Sequence, residues 1–88
     1  MFMAKVIGTV VATKKDDTLV GSKLLVVRSL GNDLRPKGEQ KVLVDSVGAG
    51  VGELVLCVSG AAARNAVRSR DAAIDGAVVG IIDEISIS

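Results

Sequence analysis

No histidine occurs among the 88 residues of this chain, tryptophan and tyrosine are missing too, and Phe2 is the only aromatic residue. Without histidine the chain lacks the commonest metal ligand and the side chain most often used as a general acid or base near neutral pH. A single cysteine, Cys57, excludes an intramolecular disulfide. It sits in the apolar run Leu54-Val55-Leu56-Cys57-Val58, so a buried structural thiol is expected, with no imidazole to activate it. Neither sign of charge dominates: eleven basic and ten acidic residues give a formal charge of +1, which argues against a general polyanion binder. Long hydrophobic runs are also missing. The longest stretch free of charge, from Leu54 to Ala63, is about half of what a membrane-spanning helix needs. Near the start, Lys5 and Lys14 enclose only eight uncharged residues, with no small-residue cleavage pattern after them. A cytoplasmic protein without membrane association is the expectation.

What the chain does have is aliphatic surface. Its hydrophobic fraction is 49%, supplied by Val, Ile, Leu and Ala. A chain of this length forms one domain, here residues 1–88, and buries around two thirds of its unfolded surface. A core without aromatic rings is thin, so so apolar a chain is expected to hide further surface in contacts between copies.

Five β-rich runs are separated by Gly, Asp, Asn and Pro: Ala4 to Thr13, Lys23 to Leu30, Lys41 to Asp45, Leu54 to Val58 and Ala77 to Ile85. In the first, Val6, Gly8, Val10 and Ala12 fall on one face by strict alternation. The later runs are apolar on both faces, the pattern of strands covered on two sides. Ser59 to Arg68 combines an N-cap candidate with an alanine-rich stretch and predicts one short helix before the last strand. Gly31 to Gly38 reads as a surface loop. The fold class expected is all-β: a five-stranded, OB-like, partly open β-barrel with that one helix.

The most distinctive string is Asp45-Ser46-Val47-Gly48-Ala49-Gly50-Val51-Gly52-Glu53. Its glycines are not spaced as G-x-G-x-x-G and lead into a strand instead of a helix, which weakens a phosphate-binding reading. Glycine serves a positive φ or a close approach of chains; a loop packed against its own symmetry copies around an axis calls on both. Ser46 beside Asp45 has no base and no nucleophile elbow, so no catalytic residue is assigned. Asp71, Asp75, Asp83 and Glu84 fit no calcium loop, and neither a metal nor a cofactor is expected. Arg64, Arg68 and Arg70 form the one local basic cluster. They support an alternative, an OB-fold domain for single-stranded nucleic acid, but such domains stack bases on aromatic side chains and Phe2 stands alone here.

Several strings together carry a resemblance. Lys5-Val6-Ile7-Gly8-Thr9-Val10-Val11-Ala12-Thr13-Lys14 with Leu19, Gly21, Lys23 and Leu24 is similar to the first hairpin of the EutN/CcmL family of microcompartment vertex proteins. Asp45 to Gly50 with Gly52-Glu53 and Val55 is the most specific match, and Gly60, Ala63-Arg64 and the close from Asp75 to Asp83 complete it. One departure is the absence of a proline near Ala73. The resemblance implies a structural protein, not an enzyme: a homopentamer that caps the fivefold vertices of a shell built from hexameric shell proteins, in the cytoplasm, with no nucleic-acid partner. In such a ring Ser46, Val47, Gly48, Ala49 and Gly50 are expected at the axis, where only small side chains fit. Glu53 and Arg64 are expected at the subunit interface.

Overall fold

The computed structural model describes residues 1–13, 15–67 and 74–87. Five strands, β1 (Phe2–Val10), β2 (Lys23–Leu30), β3 (Pro36–Asp45), β4 (Leu54–Ser59) and β5 (Gly76–Ile81), close into a barrel in the order β1-β2-β3-β5-β4. A 3₁₀ turn at Asp17–Leu19 precedes β2, and one helix, α1 (Gly60–Ala66), precedes β5. The barrel is closed where a partly open one was expected, but its seam is narrow. β3 and β5 run parallel and pair only at Val44↔Ala77 and Asp45↔Val78, whereas all other neighbours are antiparallel.

β-Branched and leucine side chains on alternating positions build the core. Ala4, Val6, Leu25, Val27, Leu43, Ala49, Val55, Cys57 and Val78 form one buried cluster, with Phe2 packed against it. A smaller cluster of Val58, Ala63 and Ala77 seats α1 against the barrel. Among the described residues no fully buried side chain exceeds leucine in size, and burying one such side chain contributes about 1.5–3 kcal/mol. The apolar residues on the outer face are less covered. Leu24, Val26 and Leu56 are half-buried, and Val42 is 52% exposed.

The structure differs from the sequence reading at several points, among them β1, which ends at Val10 and not Thr13, and β5, which ends at Ile81 and not Ile85. β3 starts at Pro36 because the turn before it is short: Gly31 donates to the Arg35 carbonyl at 2.8 Å and Leu34 to that of Gly31 at 3.0 Å. Residues 37–40 are exposed on both faces and so carry no hydrophobic alternation. In β1 the register shifts between Val6, opposite Val27, and Gly8, opposite Val26. Ile7 is therefore the extra residue of a bulge, and the shared face expected for Val6, Gly8 and Val10 is broken there. Ser59 occupies the N-cap position of α1 with an extended backbone, yet its side chain makes no capping bond. The chain is held there by Gly60, at φ 62°, donating to the Asp75 carbonyl at 2.8 Å.

Candidate functional site: the glycine loop

Residues 46–53 connect β3 to β4, and two carboxylates fix their shape. Asp45 ends β3 with a side chain only 1% exposed. Its Oδ1 accepts from the backbone N–H groups of Val47 (3.0 Å) and Gly48 (3.2 Å), and its Oδ2 from Ala49 (2.9 Å). Lys23, opposite Asp45 in the β2–β3 register, donates from Nζ to the Ala49 carbonyl at 2.7 Å and lies 3.7 Å from Asp45 Oδ2. At the far end Glu53 Oε1 accepts from the Gly50 N–H at 2.6 Å, while the Glu53 N–H donates to the Gly50 carbonyl at 3.2 Å. Gly52 and Glu53 are tied to β1 by Gly52 N–H to the Val6 carbonyl and Val6 N–H to the Glu53 carbonyl. Gly48 and Gly52 take φ of 80° and 92°, where a side chain would be strained.

This arrangement decides what the loop can do chemically. The N–H groups from Val47 to Gly50, which a phosphate would need, already donate to the chain's own Asp45 and Glu53. An incoming anion would have to displace a carboxylate at each of them. Ser46 donates from Oγ to the Val78 carbonyl at 2.7 Å and has no imidazole to receive its proton. What remains is a pre-shaped, uncharged tip.

The five residues expected at an axis do not share one environment. Ser46, Val47 and Gly48 are exposed, Val47 by 40%, and Gly50 is half-buried. Ala49 is 0% exposed and belongs to the main core cluster. Its small side chain fits the interior of its own barrel. Glu53 and Arg64, expected at an interface, both bond within the chain: Glu53 to Gly50, and Arg64 from Nη1 to the Ile74 carbonyl at 3.3 Å. Sequence reasoning passed over Asp45 and Lys23 as positioning residues. The signal for Asp45 was present, since an Asp whose carboxylate caps the N–H two residues on is a common turn device.

Cys57 is a free, buried thiol, and burial pushes it up to about 11 against a smaller opposing effect of the Lys41 ammonium. It is protonated and unreactive near neutral pH. Arg68, Arg70, Asp71 and Ala73 lie outside the described residues. Among the described residues, no three Asp, Glu or Cys side chains gather closely enough to hold a metal ion, and no helix is long and apolar enough to cross a membrane. The nucleic-acid alternative finds no support: Lys41 Nζ sits 4.6 Å from the centroid of the Phe2 ring, and Arg64 is engaged within the chain.

Comparison with known proteins places this geometry. Residues 1–83 match the family described as ethanolamine utilisation protein EutN/carboxysome. The chain is 49% identical over 85 residues to the bacterial microcompartment shell vertex protein GrpN of Rhodospirillum rubrum, covering 97% of this chain and 96% of GrpN. It is 49% identical over 90 residues to the vertex protein PduN of Salmonella typhimurium, covering 98% and 99%. The solved structure of the GrpN pentameric microcompartment shell protein superposes with a TM-score of 0.90 at 48% identity, covering 100% of both chains. A carboxysome subunit, CcmL, gives 0.94 at 44% identity, covering 100% of this chain and 92% of the other. With the same fold over more than nine tenths of each chain and close to half the residues in common, this chain belongs to the EutN/CcmL family.

Proposed function

We propose that this chain is a structural, non-enzymatic protein that forms a homopentamer and closes the fivefold vertices of a bacterial microcompartment shell in the cytoplasm, among hexameric shell proteins. The observation that carries this reading is the full-length similarity to GrpN, whose solved structure is described as a pentameric microcompartment shell protein. The physical case agrees. An 88-residue barrel with a thin aliphatic core leaves apolar surface uncovered, including Val42, Val47 and Val51 at 52%, 40% and 63% exposure, and contacts between copies are the economical way to bury it.

Hexagonal units alone tile a plane, so a closed shell needs units of fivefold symmetry at its corners. A heterologous contact that closes after five copies supplies them. In this ring Ser46 to Gly48 form the tip nearest the axis, small, uncharged and held in shape by Asp45. Gly50 supports the tip from behind, and Ala49 anchors it in the barrel. Glu53 and Arg64 serve the subunit interface from inside the chain, by fixing the glycine loop and the segment after α1.

Mixing the purified protein with hexameric shell protein tests the role. Hexamers alone are expected to give sheets or tubes by electron microscopy, and addition of this protein is expected to give closed polyhedral particles that contain it. Unchanged sheets, with the added protein left in the soluble fraction, would contradict the vertex role.

A further inference from the structure

Two strand edges are open among the described residues. β3 pairs with β2 at Pro36 and from Gln40 to Asp45, across a register shift, but with β5 only at Val44 and Asp45, which leaves residues 40–43 with one bare edge. β1 is flanked by β4 only from Phe2 to Lys5, and the turn before β4 reaches no further than Val6. Beyond the bulge Gly8, Thr9 and Val10 are therefore paired on the β2 side alone. Such edges are templates for another strand.

The chain also contains a segment suited to be that strand. After β5, residues 82–87, Ile-Asp-Glu-Ile-Ser-Ile, form no helix or strand. Yet Ile85 and Ile87 alternate with polar residues at strand spacing, and isoleucine favours strands. Ile87 is 71% exposed.

Level along the barrel decides between the two edges. The Ile82 N–H donates to the Leu54 carbonyl at 2.8 Å, and Leu54 is opposite Lys5 in β1. Lys5, Leu54 and Ile82 thus mark one level across β1, β4 and β5, and β1 and β5 run in the same direction from it. The free edge of β3 lies at the other end, before the level at which Val44 meets Ala77. From Lys5 to Val11 there are six residue steps, one of them absorbed by the bulge at Ile7; from Ile82 to Ile87 there are five. Val11 and Ile87 therefore stand level, and both are strongly exposed apolar side chains, Val11 by 90%. The acidic pair Asp83-Glu84 begins one level above the Lys5 ammonium, so charges match as well. Within one chain β4 separates β1 from β5 at the level of Lys5, Leu54 and Ile82 and so starts the two segments about two strand spacings apart, ~9.5 Å.

We propose that residues 84–87 of each subunit add in parallel to the open edge that runs from Gly8 in β1 to Val11, just past its end, of the next subunit. This inference rests on the ring reading and names its joint. Donor and acceptor are different parts of the chain, so the contact is heterologous, as a closed ring requires. Rotation about an axis running along the strands keeps donor and acceptor level. The joint buries Val11 against Ile87.

Cysteines at the two exposed positions test it, Val11→Cys with Ile87→Cys in one chain, since native Cys57 is buried. Mild oxidation is expected to give a ladder of covalent oligomers up to five chains on a denaturing gel, with the native particle unchanged in mass. Ile85→Asp with Ile87→Asp, which lies beyond the last residue of β5, is expected to leave the far-ultraviolet dichroism intact and to raise the concentration at which the ring dissociates at least tenfold. A ring whose cysteines link only within one chain or not at all, or a double-Asp ring as stable as the wild type, would overturn this inference alone. A wild-type chain that stays monomeric would overturn the ring reading and the joint with it.

Discussion

Replacing Ala49 with tryptophan is expected to cost the subunit its cooperative fold. Ala49 is fully buried in a core whose fully buried members, among the described residues, include no side chain larger than leucine. An indole there cannot be accommodated by rotamer changes alone. Overpacking typically costs 1–3 kcal/mol for far smaller additions, so a loss above about 3 kcal/mol is expected, a large share of the roughly 5–15 kcal/mol that holds a domain together. Asn32→Trp, at an exposed turn position between β2 and β3, is the control, with a change within about 0.5 kcal/mol. Thermal melting followed by far-ultraviolet dichroism separates the two. An Ala49→Trp chain that melts like the wild type would place Ala49 outside the core.

Asp45→Ala is the second large effect. Truncation leaves three backbone N–H groups and the Lys23 ammonium without their carboxylate. Hydrogen bonds to a charged group contribute about 1.5–3 kcal/mol each, but the loop N–H groups can recover water once the tip loosens. A net loss of about 2–3 kcal/mol in denaturant unfolding is therefore expected, together with weaker ring assembly because the tip is no longer pre-shaped. Asp45→Asn is expected to fall between the two, since its amide oxygen still accepts but its NH2 group meets the Ala49 N–H or Lys23. Lys23→Met is expected to cost less than about 1 kcal/mol, because the lysine side chain is half exposed. An Asp45→Ala chain within 0.5 kcal/mol of the wild type, by the mutational threshold used for surface positions, would contradict the clamp.

Much of the barrel was legible in the sequence because β-branched runs bounded by Gly, Asn and Asp are direct signals of strands. β2 from Lys23 to Leu30 and the core of β4 lie where those runs lie. The parts that were not legible share a physical reason: they depend on where a residue ends up in three dimensions. Lys37 to Gln40 extend β3 although they bury little: Pro36 pairs with Leu30 and Gln40 with Arg28 across a register shift, which the pattern of these residues does not mark. The bulge at Ile7 changes the face of everything after it in β1, and no composition marks it. The glycine loop was recognised as special, and its small residues suggested crowding at an axis. For Ala49 the crowding is internal, against the barrel core, and alternation could not tell the two apart. For Glu53 the bond of its carboxylate to the Gly50 N–H depends on the turn of the loop, which residue order alone does not give.

The mass of the native particle tests the central claim most directly. Native mass spectrometry of the purified chain at micromolar concentration is predicted to show one dominant species at five times the 9.0 kDa subunit mass. Chiefly monomer or dimer would contradict the ring, and a dominant hexamer would leave the barrel standing while refuting the vertex role.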